Sequence, residues 1–155
     1  MTNGYSPAVT ASRTRLCAVA LFAALAAGAC SSGGGDGRAT GAKGTYVAQV
    51  DPICADLRAK LGGELGKDPA KQATEVEAAV QKIMAVKKPA EDSERADLFI
   101  AAMQNLYIAL QDIDQSRIVN DATRVTKAQG YVTTATKTAA SAAKSYGMVE
   151  CARSF

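Results

Sequence analysis

The sequence predicts an all-α protein: an antiparallel four-helix bundle closed by one disulfide, carried behind a signal peptide and a flexible linker. Three observations lead there. Between residues 45 and 155 apolar side chains recur every three or four positions, and no strand-like alternation competes with them. Capping and breaking residues divide that stretch into four segments. Two cysteines, Cys54 and Cys151, stand near its two ends and set a geometric condition on the number of helices.

Composition bounds the rest. A chain of 155 residues allows one domain. At 48% hydrophobic and 21% charged it is not a disordered composition. A net charge of +3 steers no nucleic acid to it. It contains no His, which removes most familiar acid–base, nucleophile–base and metal-site designs.

The first element is an address. Residues 1–15 carry Arg13 and Arg15 and no acid, and residues 16–29 read LCAVALFAALAAGA. A basic n-region before an apolar h-region is the layout of a secretory signal peptide. The apolar run is shorter than the ~20 residues a spanning helix needs. It ends in AGAC at 27–30, small residues followed by a thiol. This resembles the lipobox of bacterial lipoproteins, with Ala27 where that family prefers Leu. The resemblance implies that residues 1–29, Cys17 included, are removed. It also implies that Cys30 carries diacylglycerol through a thioether, with an acyl chain such as palmitate on its new α-amine. The mature side chains would number 16 basic against 15 acidic, a net of +1. Attachment would then rest on acyl chains, since two or more make a stable anchor.

Residues 30–44 form the next element, the lipidated Cys30 and a Gly-rich linker. Six of the fourteen residues in SSGGGDGRATGAKG are Gly and none is large and apolar. Ordering glycine costs too much entropy for such a stretch to fold alone. Its reach as a flexible chain is roughly 20 Å. The GGGDG run lacks the strand, Lys and Ser/Thr of a phosphate-binding loop.

The body, residues 45–155, is read as four helices. The first spans about Tyr46 to Leu65, with Val47, Val50, Cys54, Leu57 and Leu61 on one face. Asp51-Pro52 inside it reads as an N-cap and first helical position, so that the regular helix starts there, or else as a kink. Asp68-Pro69 opens the second, whose stripe is Ala73, Val76, Val80 and Ile83, with or without Met84, before Pro89. The third starts near Glu91, with acids suited to its N-terminal dipole. It buries Leu98 or Phe99, then Met103, Leu106, Leu110 and Ile113, and fades near Ile118. The fourth starts near Asn120 or Asp121 and ends at Gly147. Its stripe, Val125, Ala128, Val132, Ala135, Ala139, Ala142 and Tyr146, alternates three and four. Gly130 and a cluster of Thr weaken it locally.

An even cysteine pair in an exported chain bridges. Cys54 near the start of the first helix and Cys151 just past the fourth lie at one pole only if the helix number is even. With three helices they would stand roughly 30 Å apart.

The opening helix YVAQVDPICADLRAKL and the closing SYGMVECA, behind a lipobox and a Gly-rich tether, resemble small actinobacterial helical lipoproteins with one disulfide. That resemblance implies a fold and an envelope location, and supplies no catalytic residue.

Candidate chemistry is thin. Glu91, Asp92, Glu94 and Asp97 cluster at a helix start, where the dipole explains them. Asp112 and Asp114 point to different faces of one helix. Ser93, Ser116, Ser141, Ser145 and Ser154 have no His base, which leaves Ser141 with Lys144 or Lys137 as the one nucleophile design. Met84, Met103 and Met148 read as core packing rather than soft metal ligands. Tyr107 and Tyr131 read as half-buried seam residues. The Ala-rich fourth helix argues for close packing and little void. The expectation is therefore a non-catalytic, lipid-anchored envelope protein, with no catalytic, cofactor-binding or metal residue. Its partners would be the membrane, through the anchor, and an envelope protein or ligand of unknown identity, not nucleic acid. The alternatives are a binding module for a lipid or small hydrophobic ligand, and a Ser–Lys or carboxylate hydrolase.

Overall fold

The computed structural model describes residues 41–153. The expected signal peptide, the expected lipidation site Cys30, most of the expected linker and Ser154 lie outside the described residues. Within them the protein is an all-helical bundle of four helices with a single Cys54–Cys151 disulfide. The helices are α1, Gly41–Leu61; α2, Pro69–Ala85; α3, Ser93–Ile118; and α4, Ala122–Tyr146. A short 3-10 turn, Ala90–Asp92, precedes α3. None of these helices is long and apolar enough to cross a membrane.

The first helix departs most from expectation. It begins at Gly41, so Gly41–Gly44 belong to the helix and not to the linker. Thr45 Oγ1 donates to the Gly41 carbonyl, and buried Tyr46 holds that turn to the core. The helix also runs through Pro52 rather than starting there. Proline removes the hydrogen bond to the Ala48 carbonyl. Both residues face solvent, where water can meet that carbonyl. On the opposite face Val50, Cys54, Leu57 and Leu61 are buried and hold the chain helical. The helix stops at Leu61, four residues short of the expected end. Gly62 and Gly63 there take φ of 68° and 95°, a conformation that costs side-chain-bearing residues dearly.

The start of α2 and both ends of α4 follow their caps. The Asp68 side chain accepts from Lys71 N, with Pro69 in the first helical position of α2. The Asp121 side chain accepts from Arg124 N at 2.9 Å to open α4. Gly147, at φ 94°, closes α4, and Met148 N donates back to Ala143 O at 2.9 Å. Helix α4 passes Gly130 unbroken. Thr133, Thr134, Thr136 and Thr138 each donate to the carbonyl four residues back, which satisfies their hydroxyls without leaving the helix.

One core joins all four helices. In α3 the buried choice is Phe99, while Leu98 is exposed. Met84 of α2 is likewise exposed rather than in the stripe. In α4 the stripe shifts from the expected Ala142 to Ala143. A straight helix of 3.6 residues per turn drifts away from a 3.5-residue seam over this length. Helices α3 and α4, the two longest, share the most extensive contact, with alanines at many of the buried positions on both.

Candidate functional site

The residues that chemistry singled out are dispersed. Asp92 pairs with Lys43 at 3.4 Å, and Asp97 pairs with Lys88. Glu91 and Glu94 are exposed beside them. Among the described residues no three His, Cys, Asp or Glu side chains gather at metal-binding distance. Ser141, Lys144 and Lys137 are exposed on α4, and no hydrogen bond joins them among the described residues. Ser145 Oγ donates to the Ala142 carbonyl instead. Met103 and Met148 are buried, and Met84 lies 3.9 Å from the Gln104 amide nitrogen. Tyr107 is half-buried, with its hydroxyl accepting from Gln111 at 2.7 Å, and Tyr131 is exposed.

Cys54 and Cys151 are brought together, with Cα atoms 5.0 Å apart across a separation of 97 residues. The bridge sits in a polar clamp that the sequence reading missed. The Asp51 carboxylate accepts from Val149, Glu150 and Cys151 backbone N–H groups at 3.0, 3.1 and 3.3 Å. Arg58, about one turn along the same helix from Cys54, donates to the Glu150 carbonyl at 3.0 Å and pairs with its carboxylate. The hydrogen bond that Arg58 donates to the Glu150 carboxylate, with the charges of Arg153 and Arg58, outweighs desolvation and holds that carboxyl below its ordinary range. Asp51 and Arg58 stand seven residues apart, a helical spacing that was visible but pointed to no partner in sequence.

Two buried tyrosines lie near the clamp. Tyr46 and Tyr146 pack edge to face with ring centroids 5.6 Å apart, and Lys43 Nζ sits 4.8 Å from the Tyr146 ring centre. Neither hydroxyl has a partner among the described residues. Burial first, then Tyr146 and Asp97, push the Tyr46 hydroxyl up to about 12. Tyr46 continues the 50, 54, 57, 61 spacing of α1 by one more turn, and that was its signal.

A second clamp joins the Gly62–Lys67 connection to the end of α3. Arg117 donates to the Gly66 and Lys67 carbonyls at 2.7 and 3.2 Å. Buried Gln72 donates to Leu61 and Glu64 carbonyls and accepts from Gly66 N. A Gln beside the apolar stripe of α2 was the legible sign of it.

The expectation of little void is corrected: several surface hollows of about 390–490 Å³ open between helices, and the one between α3 and α4 is lined mostly by apolar residues. Between α3 and α4 runs a groove of about 440 Å³. Buried Ala102, Ala109 and Ala135 form its floor. Ile108 of α3, 58% exposed, and Tyr131 of α4, 51% exposed, stand on its walls. Alanine explains both features: it lets the backbones approach, and it leaves the surface side of the seam unfilled. Asp112 lines the groove and pairs with Arg124 at 2.8 Å. Lys127 Nζ lies 5.7 Å from the Tyr131 ring centre, an attractive cation–ring geometry. Asp114 lies elsewhere, in a polar hollow between α2 and α3 beside Tyr107 and Gln111.

The chain matches no protein-family model, no curated protein and no solved structure.

Proposed function

We propose that this chain is a lipid-anchored cell-envelope protein with a non-catalytic interaction or scaffolding role, exported and tethered through Cys30 to the outer face of the membrane. The observation that carries the reading is the Cys54–Cys151 disulfide. A bridge over so long a loop persists where thiols are oxidised, outside the reducing cytosol. The basic n-region, the apolar run and AGAC at 27–30 supply a route to such a compartment.

In this reading the four helices run antiparallel in sequence order. Several cross-links support that order. Lys60 near the end of α1 pairs with Glu75 near the start of α2, at 3.4 Å. Lys43 at the start of α1 pairs with Asp92 just before α3. Arg124 at the start of α4 pairs with Asp112 near the end of α3. Tyr46 of the first turns meets Tyr146 of the last. The tether would then leave from the disulfide end, and the Arg117 clamp would face away from the membrane.

Intact mass of the protein from an exporting host, with and without reductant, tests this. We expect a mass that starts at Cys30, is raised by acyl chains and gains hydrogen on reduction. A soluble product cut elsewhere removes the anchor, and free thiols remove the argument from the bridge.

A second reading, a binding module for a lipid or small hydrophobic ligand, is favoured by the α3–α4 groove with its exposed Ile108 and Tyr131.

A further inference from the structure

We propose that the α3–α4 groove holds the single acyl chain of an anionic amphiphile, with its head group against Lys127. The inference deepens the second reading above and rests on it.

The shape comes first. Single exposed apolar side chains are ordinary on a protein surface. Here Ile108 and Tyr131 come from different helices and flank one trough. Leu98, 62% exposed, lies one turn before Ala102 on α3 and adds apolar surface beyond that end of the groove. A groove of about 440 Å³ lies within the ~300–1,000 Å³ of small-molecule sites. Its narrow floor of alanines suits one extended chain better than a bulky ring system.

The polar groups exclude other occupants. Thr134 and Thr138 line the groove, but their protons are already donated to the Gly130 and Thr134 carbonyls. They therefore offer a ligand no donor. Asn105 supplies the one side-chain amide on the lining, and Asp112 is engaged by Arg124. One amide is a thin set of polar groups for a sugar or a nucleotide, and the alanine, isoleucine and tyrosine surface favours a hydrocarbon.

The charges set the direction. Asp112 is neutralised by Arg124. Lys127 has no carboxylate within ion-pair distance among the described residues, and it leans over the Tyr131 ring. One spare cation therefore stands at the Tyr131 wall of an apolar trough, which complements a carboxylate or phosphate head. An uncharged head would leave that cation unused.

Photo-crosslinking in the membrane-anchored, full-length protein tests the assignment. Three probes carry the same diazirine-bearing single chain: a fatty acid, a lysophosphatidate and a fatty alcohol. We expect the anionic probes to label the peptides containing Ile108 and Tyr131 about ten-fold more than the alcohol does, and the acid and phosphate arms to identify the head. Lys127→Glu should abolish that preference while leaving the alcohol's weak labelling unchanged. Thr134→Trp, at an exposed position, should fill the groove and remove the label, with circular dichroism checking the fold. If that variant misfolds, Lys127→Glu still decides. Equal labelling by all three probes overturns the head-group assignment. Labelling confined to other peptides of the body overturns the groove while leaving the binding reading standing. No labelling of the body overturns both. Crosslinks between α4 helices of two copies, lost in Thr134→Trp, would seat a second copy there and overturn the proposal.

Discussion

The Asp51 carboxylate accepts the backbone N–H of Glu150 at 3.1 Å, across 99 residues of chain. Together with its bonds from Val149 and Cys151, it caps the turn that follows α4 from inside α1. Asp51→Ala strands three N–H groups. Hydrogen bonds to a charged group are worth about 1.5–3 kcal/mol when buried and less at this half-exposed position. We expect a loss of about 1–2 kcal/mol in urea unfolding, with Asp51→Asn losing less. A change within experimental error would remove the clamp from the account of stability.

Reduction of the Cys54–Cys151 bridge should destabilise more. It closes a loop of 97 residues, for which chain entropy allows about 4–5 kcal/mol, and engineered bridges often deliver less. Thermal unfolding with and without reductant measures the difference. Cys54→Ala combined with Cys151→Ala should match the reduced protein. A reduced protein that melts with the oxidised one would show that the clamp alone holds the two segments.

Tyr46 makes the fold sensitive to alkali. Its hydroxyl is buried and unpartnered, and its ionisation is raised from 10.0 to about 12. Above pH 10 the unfolded chain gives up this proton while the folded chain keeps it. Folded stability is therefore fully present below pH 10 and falls between pH 10 and about 12. Tyr46→Phe should flatten that part of the pH profile. It should cost little or nothing at neutral pH, because no hydrogen bond is lost. A variant that follows the wild-type profile would assign the alkaline loss to other groups.

Gly130 lies inside α4 with nothing within 4 Å of where a Cβ would stand. Gly130→Ala should stabilise by about 0.5–1 kcal/mol, by restricting the unfolded chain and improving helix propensity. Denaturant midpoints measure it, with the slope unchanged.

Most of the helical plan was legible in the residues. Asp68-Pro69, Asp121 and Gly147 act within a few positions of themselves, so their caps appear where local rules put them. The apolar spacing named Val50, Cys54, Leu57 and Leu61 of α1 and the large residues Met103, Leu106, Leu110 and Ile113 of α3, because a helical face is a local consequence of 3.6 residues per turn. It passed over Ile100 and the small Ala96, Ala102, Ala109 and Ser116 that widen the buried face. The errors share one origin. Pro52 and Gly41 carry local penalties, and both sit in α1 because Tyr46, Val50 and Cys54 are buried against distant residues. Leu98 and Phe99 are neighbours with similar local claims, and only the packing around α3 decided between them.

The candidate site divides the same way. The disulfide was legible from an even cysteine pair together with an expected export signal, both read from the residues alone. The groove did not follow, because it is made by two helices approaching closely, and their separation depends on which alanines meet. Ile108 and Lys127 look like ordinary surface residues until Ala102, Ala109 and Ala135 open a trough beside them. By itself the sequence determined that four segments coil and where the caps at Asp68, Asp121 and Gly147 fall, since hydrogen bonds, caps and periodicity act over a few residues. Only the tertiary structure decided which carboxylate closes the C-terminal turn and where the surface is left unfilled, since those depend on contacts between residues far apart in the chain.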